Sequence, residues 1–271
     1  MSEYKEPDLL QMYFAMDYHV TEYITIRQPT IGEIVEMGEE PYYQMVGTLC
    51  VIPSDIKSLL WDSGIDWEKI TDFELFCLII RTLSIEQTSI LFGDLDFTKF
   101  TLMQRDDNHE NVLFQRMGTK EDYQDIIIDK MVYQKMVDYI RKLHRIKPNV
   151  QHAVNQRTKE ILIELDREDH EAASKQKKES HLFPLISSLV NTAGFKYKKN
   201  ELKEVGLFEF FDSVMRIQTI KSADALLNGC YSGFVDTSGI NKKDLDWTKD
   251  LYAESEYTGL MKLNKNDAKA N

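Results

Sequence analysis

The sequence predicts an α+β fold, mainly α-helical, with a small antiparallel sheet near the middle of the chain. Over most of the 271 residues, apolar side chains recur three or four positions apart, as in helices that bury one face. Between about residues 88 and 129 this spacing gives way to short apolar or alternating runs separated by turn residues, which is typical of antiparallel strands. Hydrophobic residues make up 42% of the chain, enough for a packed core.

These changes of pattern divide the chain into five segments, although no Pro-rich or Gly/Ser-rich linker separates them. The segments are 1–87, an N-terminal strand plus helices; 88–147, the small sheet and the helix after it; 148–181, a charged helix or hinge; 182–261, a C-terminal helical region; and 262–271, a tail expected to fray.

The first segment opens with a predicted strand at residues 22–27, where polar and apolar residues alternate. Thr30 and Glu33 then have the spacing of a capping box, in which each side chain accepts a hydrogen bond from the backbone of the other residue. A short helix is therefore predicted after Thr30. We expect it to end near Gly38, a residue suited to a helix C-terminus.

Three more helices are predicted before residue 88. Two begin at Pro41 and Pro53, because proline is tolerated in the first turn of a helix. The third follows a second capping box, Thr71 with Glu74, and its dense apolar content makes it the best candidate for a buried helix.

Four short runs make up the predicted sheet: 89–92, 100–103, 111–114 and 125–128. Helical spacing returns after them. It predicts helices at about 131–143, 150–174, 183–190 and 207–217, the last continuing or restarting toward 227.

Charge and cysteine content limit the classes of function. The chain has 33 basic and 45 acidic residues and a net charge of −12, which argues against a protein whose whole surface binds nucleic acid. Cys50, Cys77 and Cys230 are far apart, so we expect free thiols in a reducing compartment. Neither a membrane-spanning run nor an N-terminal secretory pattern is found, so we expect a soluble protein with no membrane partner, and no cofactor is indicated.

Two acidic clusters are candidates for a metal site. Asp94 and Asp96 lie on one side of an extended segment, a spacing that hard cations use. Glu164, Glu168 and Glu171 are three or four residues apart and would converge on one helix face. For Asp94 and Asp96 the simpler explanation is a charged edge of a hairpin. For the glutamates it is a solvent-exposed side of a helix. A metal-dependent enzyme or nucleic-acid-processing factor using these acids is the alternative function.

Other catalytic patterns are missing. No two histidines have the i, i+4 spacing of a helical zinc site, and no nucleophile elbow, phosphate loop or dinucleotide fingerprint occurs. We therefore predict that the protein is not an enzyme and has no catalytic or metal-binding residue.

The best basic patch combines four lysines with two aromatic residues: Lys196, Lys198, Lys199 and Lys203 with Phe195 and Tyr197. Such a patch suits a nucleic-acid strand. A turn with packed aromatic rings and solvated lysines explains it better, so nucleic acid is not an expected partner.

Aromatic residues are the candidates for partner binding. Trp61, Trp67 and Trp247 each lie beside an aspartate, and Tyr231 lies in the predicted helix end 229–233. Such side chains ordinarily cap the core, but they also carry much of the binding energy at protein interfaces. These four are the predicted partner-binding residues, with core capping as the simpler alternative.

Residues 23–34, followed by Gly38-Glu39 and Tyr42-Tyr43, resemble the N-terminal block of tailed-phage and prophage proteins of Gram-positive hosts, which are encoded among virion-morphogenesis products. Further segments extend the likeness over most of the chain: 66–68, 72–76, 92–97, 227–233 and 246–251. None of these motifs has a known chemical role, so the resemblance implies no catalytic residue.

The resemblance implies a bacteriophage structural or assembly protein that acts through protein–protein contacts, in tail morphogenesis, with a tail-assembly chaperone as one form of that role. Its partners would be other phage structural proteins. It would work in the host cytoplasm during assembly, and whether it stays in the virion or forms a homo-oligomer is left open.

Overall fold

A computed structural model describes residues 6–106, 109–119, 122–175, 179–232 and 240–253. The α-helices within these ranges are α1 Leu9–Tyr13, α2 Ile31–Met37, α3 Glu39–Cys50, α4 Lys57–Asp62, α5 Asp72–Ile79, α6 Ile85–Phe92, α7 Lys130–His144, α8 Gln156–Lys175, α9 Leu182–Val190 and α10 Leu207–Ser232. The strands are β1 Tyr18–His19, β2 Thr25–Ile26, β3 Thr101–Gln104, β4 Asn111–Thr119 and β5 Asp122–Ile128. The predicted class, α+β and mainly helical, is confirmed.

The described residues form two antiparallel sheets. β1 and β2 make a two-stranded ribbon, and β3, β4 and β5 make a three-stranded sheet in sequence order. Leu113 of β4 pairs with Leu102 on one side and with Ile128 on the other, and both Leu113 and Ile128 are fully buried. The sheet therefore packs one face on the core and lies in the middle of the chain, as the sequence predicts.

One of the four predicted strands is wrong. Residues 89–92 belong to α6, which begins after Ser84, where Gln87 Oε1 accepts a hydrogen bond from the Ser84 backbone N–H at 2.9 Å. The helix ends at Gly93, whose positive φ of 60° suits glycine. A short apolar run cannot be assigned to strand or helix by its spacing alone, and here the cap decides.

Both predicted capping boxes are present. The Glu33 backbone N–H donates to Thr30 Oγ1 at 3.2 Å, and the Thr30 N–H donates to the Glu33 carboxylate at 2.8 Å. The pair Thr71 and Glu74 does the same at the start of α5. These caps start α2 and α5 where the sequence predicts them.

The main core joins α3, α5, α6, α7, the three-stranded sheet and the first half of α10. Inside it, the Tyr42 hydroxyl lies 2.6 Å from His144 Nε2, and His144 Nδ1 lies 2.7 Å from the Ile140 carbonyl oxygen. A neutral imidazole satisfies both contacts, with Nδ1 donating and Nε2 accepting. Burial lowers the pKa of His144 to about 4, so the ring stays neutral near pH 7.

The C-terminal segment, residues 240–253, is tied to this core by a buried arginine. Arg145 ends α7 with a left-handed backbone, φ 54°, and its guanidinium donates to the Leu251 carbonyl oxygen at 3.2 Å. The same group lies 4.7 Å from the centre of the Tyr252 ring, which stacks on Phe208 of α10. The segment is thereby held along α10.

A second, smaller apolar cluster joins α4, α5 and α8. It contains Trp67 and Leu60, with Ile163 as the contribution of α8. The predicted charged helix or hinge at 148–181 is thus, over Gln156–Lys175, a helix packed against α4.

Among the described residues no single helix is both long and apolar enough to cross a membrane; by length and composition only the pair 72–82 and 85–92, bent by 120°, meets that test together.

Candidate protein-binding groove

The α10 helix divides its apolar stripe between the core and a surface groove. Phe208, Phe210 and Phe211 in its first two turns are buried in the main core. Val214 and Ile217, one to two turns further on, are only half-buried and face α9. The sequence predicts a helix with apolar spacing over 207–217, and the structure buries the first half of this stretch and leaves the second half partly open.

Between α9 and α10 lies a groove with a volume of about 470 Å³. Leu185 and Leu189 of α9 line one wall, and Val214 and Ile217 of α10 line the other. Serine, threonine and glutamine side chains complete the lining, together with the ammonium-bearing Lys221. An open, mostly apolar groove between two helices is a form that binding sites for protein segments take.

Lys221 is the one charged residue in the described lining of the groove. Its Nζ lies 3.3 Å from Thr192 Oγ1, so it bridges α10 and the end of α9. The Thr192 hydroxyl in turn donates to the Ser188 carbonyl oxygen at 2.7 Å. The groove therefore presents a single exposed positive charge at one edge and no carboxylate in its lining.

The position of α9 is fixed by an acid from a distant part of the chain. The Glu39 carboxylate, at the start of α3, accepts hydrogen bonds from the backbone N–H groups of His181 and Leu182 and from the Ser180 hydroxyl. A carboxylate at the N-terminus of a helix is stabilised by the unpaired N–H groups there and by the helix dipole. One wall of the groove is thus anchored to the core.

The other wall is anchored through Gln28. Its side-chain oxygen accepts a hydrogen bond from the Phe208 backbone N–H at 3.0 Å, and its amide nitrogen donates to the Met12 carbonyl oxygen at 2.9 Å. A Cβ atom on Gly206 would lie 2.5 Å from the Gln28 oxygen, so only glycine lets the chain approach this closely. Both walls are therefore set by the folded core.

The groove face of α10 lies opposite the face that the C-terminal segment covers. Arg216 donates to the carbonyl oxygens of Trp247 and Lys249 at 2.7 and 3.0 Å, and Tyr252 donates to Asp212 at 3.2 Å. At 100° per residue, positions 208, 212 and 216 lie about half a turn from 214, 221 and 225. The described part of the chain thus covers one side of α10 and leaves the groove side open.

The four predicted partner-binding residues have different surroundings. Trp61 is 42% exposed, Trp247 is 52% exposed and Tyr231 is 85% exposed. Trp67 is only 3% exposed and belongs to the second apolar cluster, with the Lys57 ammonium 5.6 Å from its ring. Trp67 has no surface to offer a partner, so for this residue the prediction is corrected to core packing, the simpler alternative.

Three of the five acids of the alternative metal sites have protein partners. Asp96 accepts hydrogen bonds from the Thr98 hydroxyl and backbone N–H, which lower its pKa, and caps a short 3-10 helix, Phe97–Lys99. Glu164 and Glu171 pair with Arg167 and Lys175 at 2.7 and 2.6 Å. No group of three or more His, Cys, Asp or Glu side chains within the described ranges is arranged to hold a metal ion.

In the predicted basic patch the aromatic rings are packed. Phe195 and Tyr197 meet edge to face at 5.6 Å, and both contact the main core. The Tyr197 hydroxyl donates to Glu209 at 2.7 Å, and the Lys196 ammonium lies 4.7 Å from the Tyr197 ring. These contacts agree with the simpler explanation of the patch, a turn whose aromatic rings are packed.

Comparison of the chain with protein-family models, with curated proteins and with solved structures gives no match. The geometry of the groove is therefore the main guide to function.

Proposed function

We propose that this chain is a non-enzymatic protein that acts by binding partner polypeptides, in the assembly of a tailed-phage particle, at the stage of tail morphogenesis. The observation that carries the binding role is the open apolar groove between α9 and α10, with both walls anchored to the core. The resemblance of residues 23–34 and the other quoted segments to virion-morphogenesis proteins supports the phage setting.

The occupant that best fits the groove is an amphipathic helix of a partner protein with an acidic residue on its flank. The lining spans residues 185–192 of one wall and 214–225 of the other, about 10 and 16 Å at 1.5 Å per residue, or two to three helical turns. The partner's apolar face would pack on Leu189 and Ile217, and Lys221 would pair with its carboxylate.

Such binding suits an assembly chaperone that caps a virion subunit reversibly. The subunit's apolar helix would be shielded from aggregation while it occupies the groove. The net charge of −12 would keep the complex soluble through mutual repulsion between complexes.

A synthetic helix of about 18 residues tests the groove. It carries leucine on one face, glutamate on the flanks and glutamine elsewhere, and is called the Leu/Glu peptide below. We expect it to bind the wild-type protein in fluorescence anisotropy. Lys221→Glu, an exposed change, should weaken binding about tenfold, and Ile217→Asp should abolish it.

Val35→Asp is the matched control, because Val35 is an exposed aliphatic residue on another helix, α2. It should bind as the wild type does, and circular dichroism shows which variants remain folded. Equal affinity of wild type and Lys221→Glu for the Leu/Glu peptide, or no binding at all, would overturn the proposed groove function.

The phage setting has a separate test in the neighbouring genes. A tail-tube gene upstream and a tape-measure gene downstream are the expected result. A neighbourhood without virion genes would contradict the phage role, whatever the peptide experiment shows.

A further inference from the structure

The α8 helix buries two charged residues beside one aliphatic residue, and it exposes two other aliphatic residues along with most of its charged ones. Its buried residues are Lys159, Ile163 and Asp166. Ile161 and Leu165, one turn apart on its outer side, are each 51% exposed. Buried charges are an informative departure from the usual distribution of residues, and in α8 they occur opposite an adjacent pair of exposed aliphatic side chains.

The inner face of α8 is held by specific polar contacts. Asp166 accepts hydrogen bonds from the Ser58 backbone N–H at 3.0 Å and hydroxyl at 2.8 Å, and the Lys57 ammonium lies 3.8 Å away. Burial acts to raise the pKa of Asp166, but hydrogen bonds from His170 and Ser58 outweigh it and hold the pKa well below the usual range.

Two helical turns toward the N-terminus, Lys159 makes a second set of contacts. Its ammonium pairs with Asp66 and, at 3.2 Å, with Glu68. The rings of Trp61 and Trp67 each lie 6.0 Å from it. Together with Asp166, these contacts fix which face of α8 is turned inward, so Ile161 and Leu165 cannot turn toward the core without breaking them.

The charges around the outer face are mostly acidic. The exposed charged residues within one turn of Ile161 and Leu165 are four acids, Glu160, Glu164, Glu168 and Asp169, and two bases, Arg157 and Arg167. Arg167 already pairs with Glu164 at 2.7 Å, so Glu168 is the main acid for a partner. A partner that covers the aliphatic pair would therefore meet more negative than positive charge. A second copy of this chain is disfavoured as the occupant, because its α8 carries the same acids.

We propose that the outer face of α8, defined by Ile161 and Leu165 with the rim acids Glu164 and Glu168, is a second docking surface, for a basic amphipathic helix of a partner protein. The partner's apolar residues would cover the aliphatic pair, and its lysines or arginines would lie beside the glutamates. This proposal does not depend on the groove, whose one charged lining residue is positive.

The probe is a Leu/Lys peptide, identical to the Leu/Glu peptide except that lysine replaces glutamate. A protein of net charge −12 attracts any cationic peptide weakly, so the decisive variant changes no charge. Ile161→Ser with Leu165→Ser should weaken binding of the Leu/Lys peptide about tenfold in anisotropy measurements at moderate salt. Leu78→Ser, at an exposed leucine of α5, should leave it unchanged.

A second pair of variants keeps the test decisive if the double variant does not fold. Glu168→Lys changes an exposed glutamate of α8, and Glu36→Lys changes an exposed glutamate of α2. Both substitutions change the net charge by the same amount. Docking on α8 predicts a clearly larger loss for Glu168→Lys. Equal losses for the two would show general electrostatic attraction only and overturn the proposal.

Lys221→Glu separates this surface from the groove. This substitution should weaken binding of the Leu/Glu peptide and leave binding of the Leu/Lys peptide unchanged. Loss of Leu/Lys binding in this variant, with no effect of the serine substitutions, would place the basic helix elsewhere and refute docking on α8, while leaving the groove proposal to its own test.

Discussion

The buried histidine of α7 predicts a specific loss of stability in mild acid. His144 is completely buried and satisfied as a neutral ring between Tyr42 and the Ile140 carbonyl. Its pKa is about 4 in the folded protein, against 6.5 for an ordinary histidine. The unfolded chain therefore binds a proton that the folded chain rejects between these two values.

The direction in which stability changes with pH follows from that difference in pKa. Above pH 6.5 the ring is neutral in both states and the stability is fully present. As the pH falls from 6.5 toward 4, the unfolded state gains protons and stability is lost. At 1.36 kcal/mol per pH unit, the loss attributable to His144 is about 3 kcal/mol by pH 4.

Urea unfolding at several pH values between 7.5 and 4.5 measures this loss. His144→Gln removes the titrating ring, so the free energy of unfolding should fall less steeply with decreasing pH than in the wild type. His152→Gln is the control, because His152 is exposed and its removal should leave the slope unchanged. If His144→Gln and wild type lose stability in parallel, the assignment of a buried neutral imidazole is wrong.

Three further predictions concern stability. Asp166→Ala removes the carboxylate that faces the buried Lys57 ammonium and should cost about 3–5 kcal/mol in urea unfolding, and a loss below 1 kcal/mol would contradict the polar anchoring of α8. Trp67→Ala should cost about 3–5 kcal/mol because the ring is buried, whereas Trp61→Ala, half-exposed, should cost clearly less; equal losses would contradict their different burial. Arg145→Met should release residues 240–253 and speed tryptic cleavage at Lys249, and unchanged cleavage would show that other contacts hold the segment.

Features set by neighbouring residues were predictable from the sequence. The capping boxes at Thr30 and Thr71 involve residues three apart, and each starts a helix where it was predicted. The α7 helix also follows its apolar spacing to the expected end at His144. Such features are local because a cap or a helical stripe is complete within a few turns of chain.

Features set by distant residues were not predictable. Ser58 and Asp166 are 108 residues apart, and nothing in the sequence of α8 shows that this acid turns inward while Leu165, the residue before it, stays exposed. The same holds for Glu39, which caps α9 from 143 residues away and thereby forms one wall of the groove. From the sequence alone, a charged stretch with few apolar residues is interpreted as a solvent-exposed helix, because the distant residues that it contacts are not known.

Trp61 and Trp67 are six residues apart, and the sequence also does not show that Trp67 is buried while Trp61 is partly exposed. Both lie next to an aspartate, and both rings lie the same distance from Lys159. What separates them is the second apolar cluster, which contains Trp67 together with Ile163 and Leu60, and the tryptophan–aspartate pattern does not show this.

The two proposed surfaces differ in the charge that they offer a partner. The groove presents Lys221 to an acidic helix, and α8 presents Glu164 and Glu168 to a basic one. Apolar contact gives affinity at both, so the sign of the flanking charge decides which helix binds where, since like charges across an interface are penalised. The two proposed surfaces would therefore select helices of opposite flank charge, whereas a single apolar patch without charged flanks would not distinguish them.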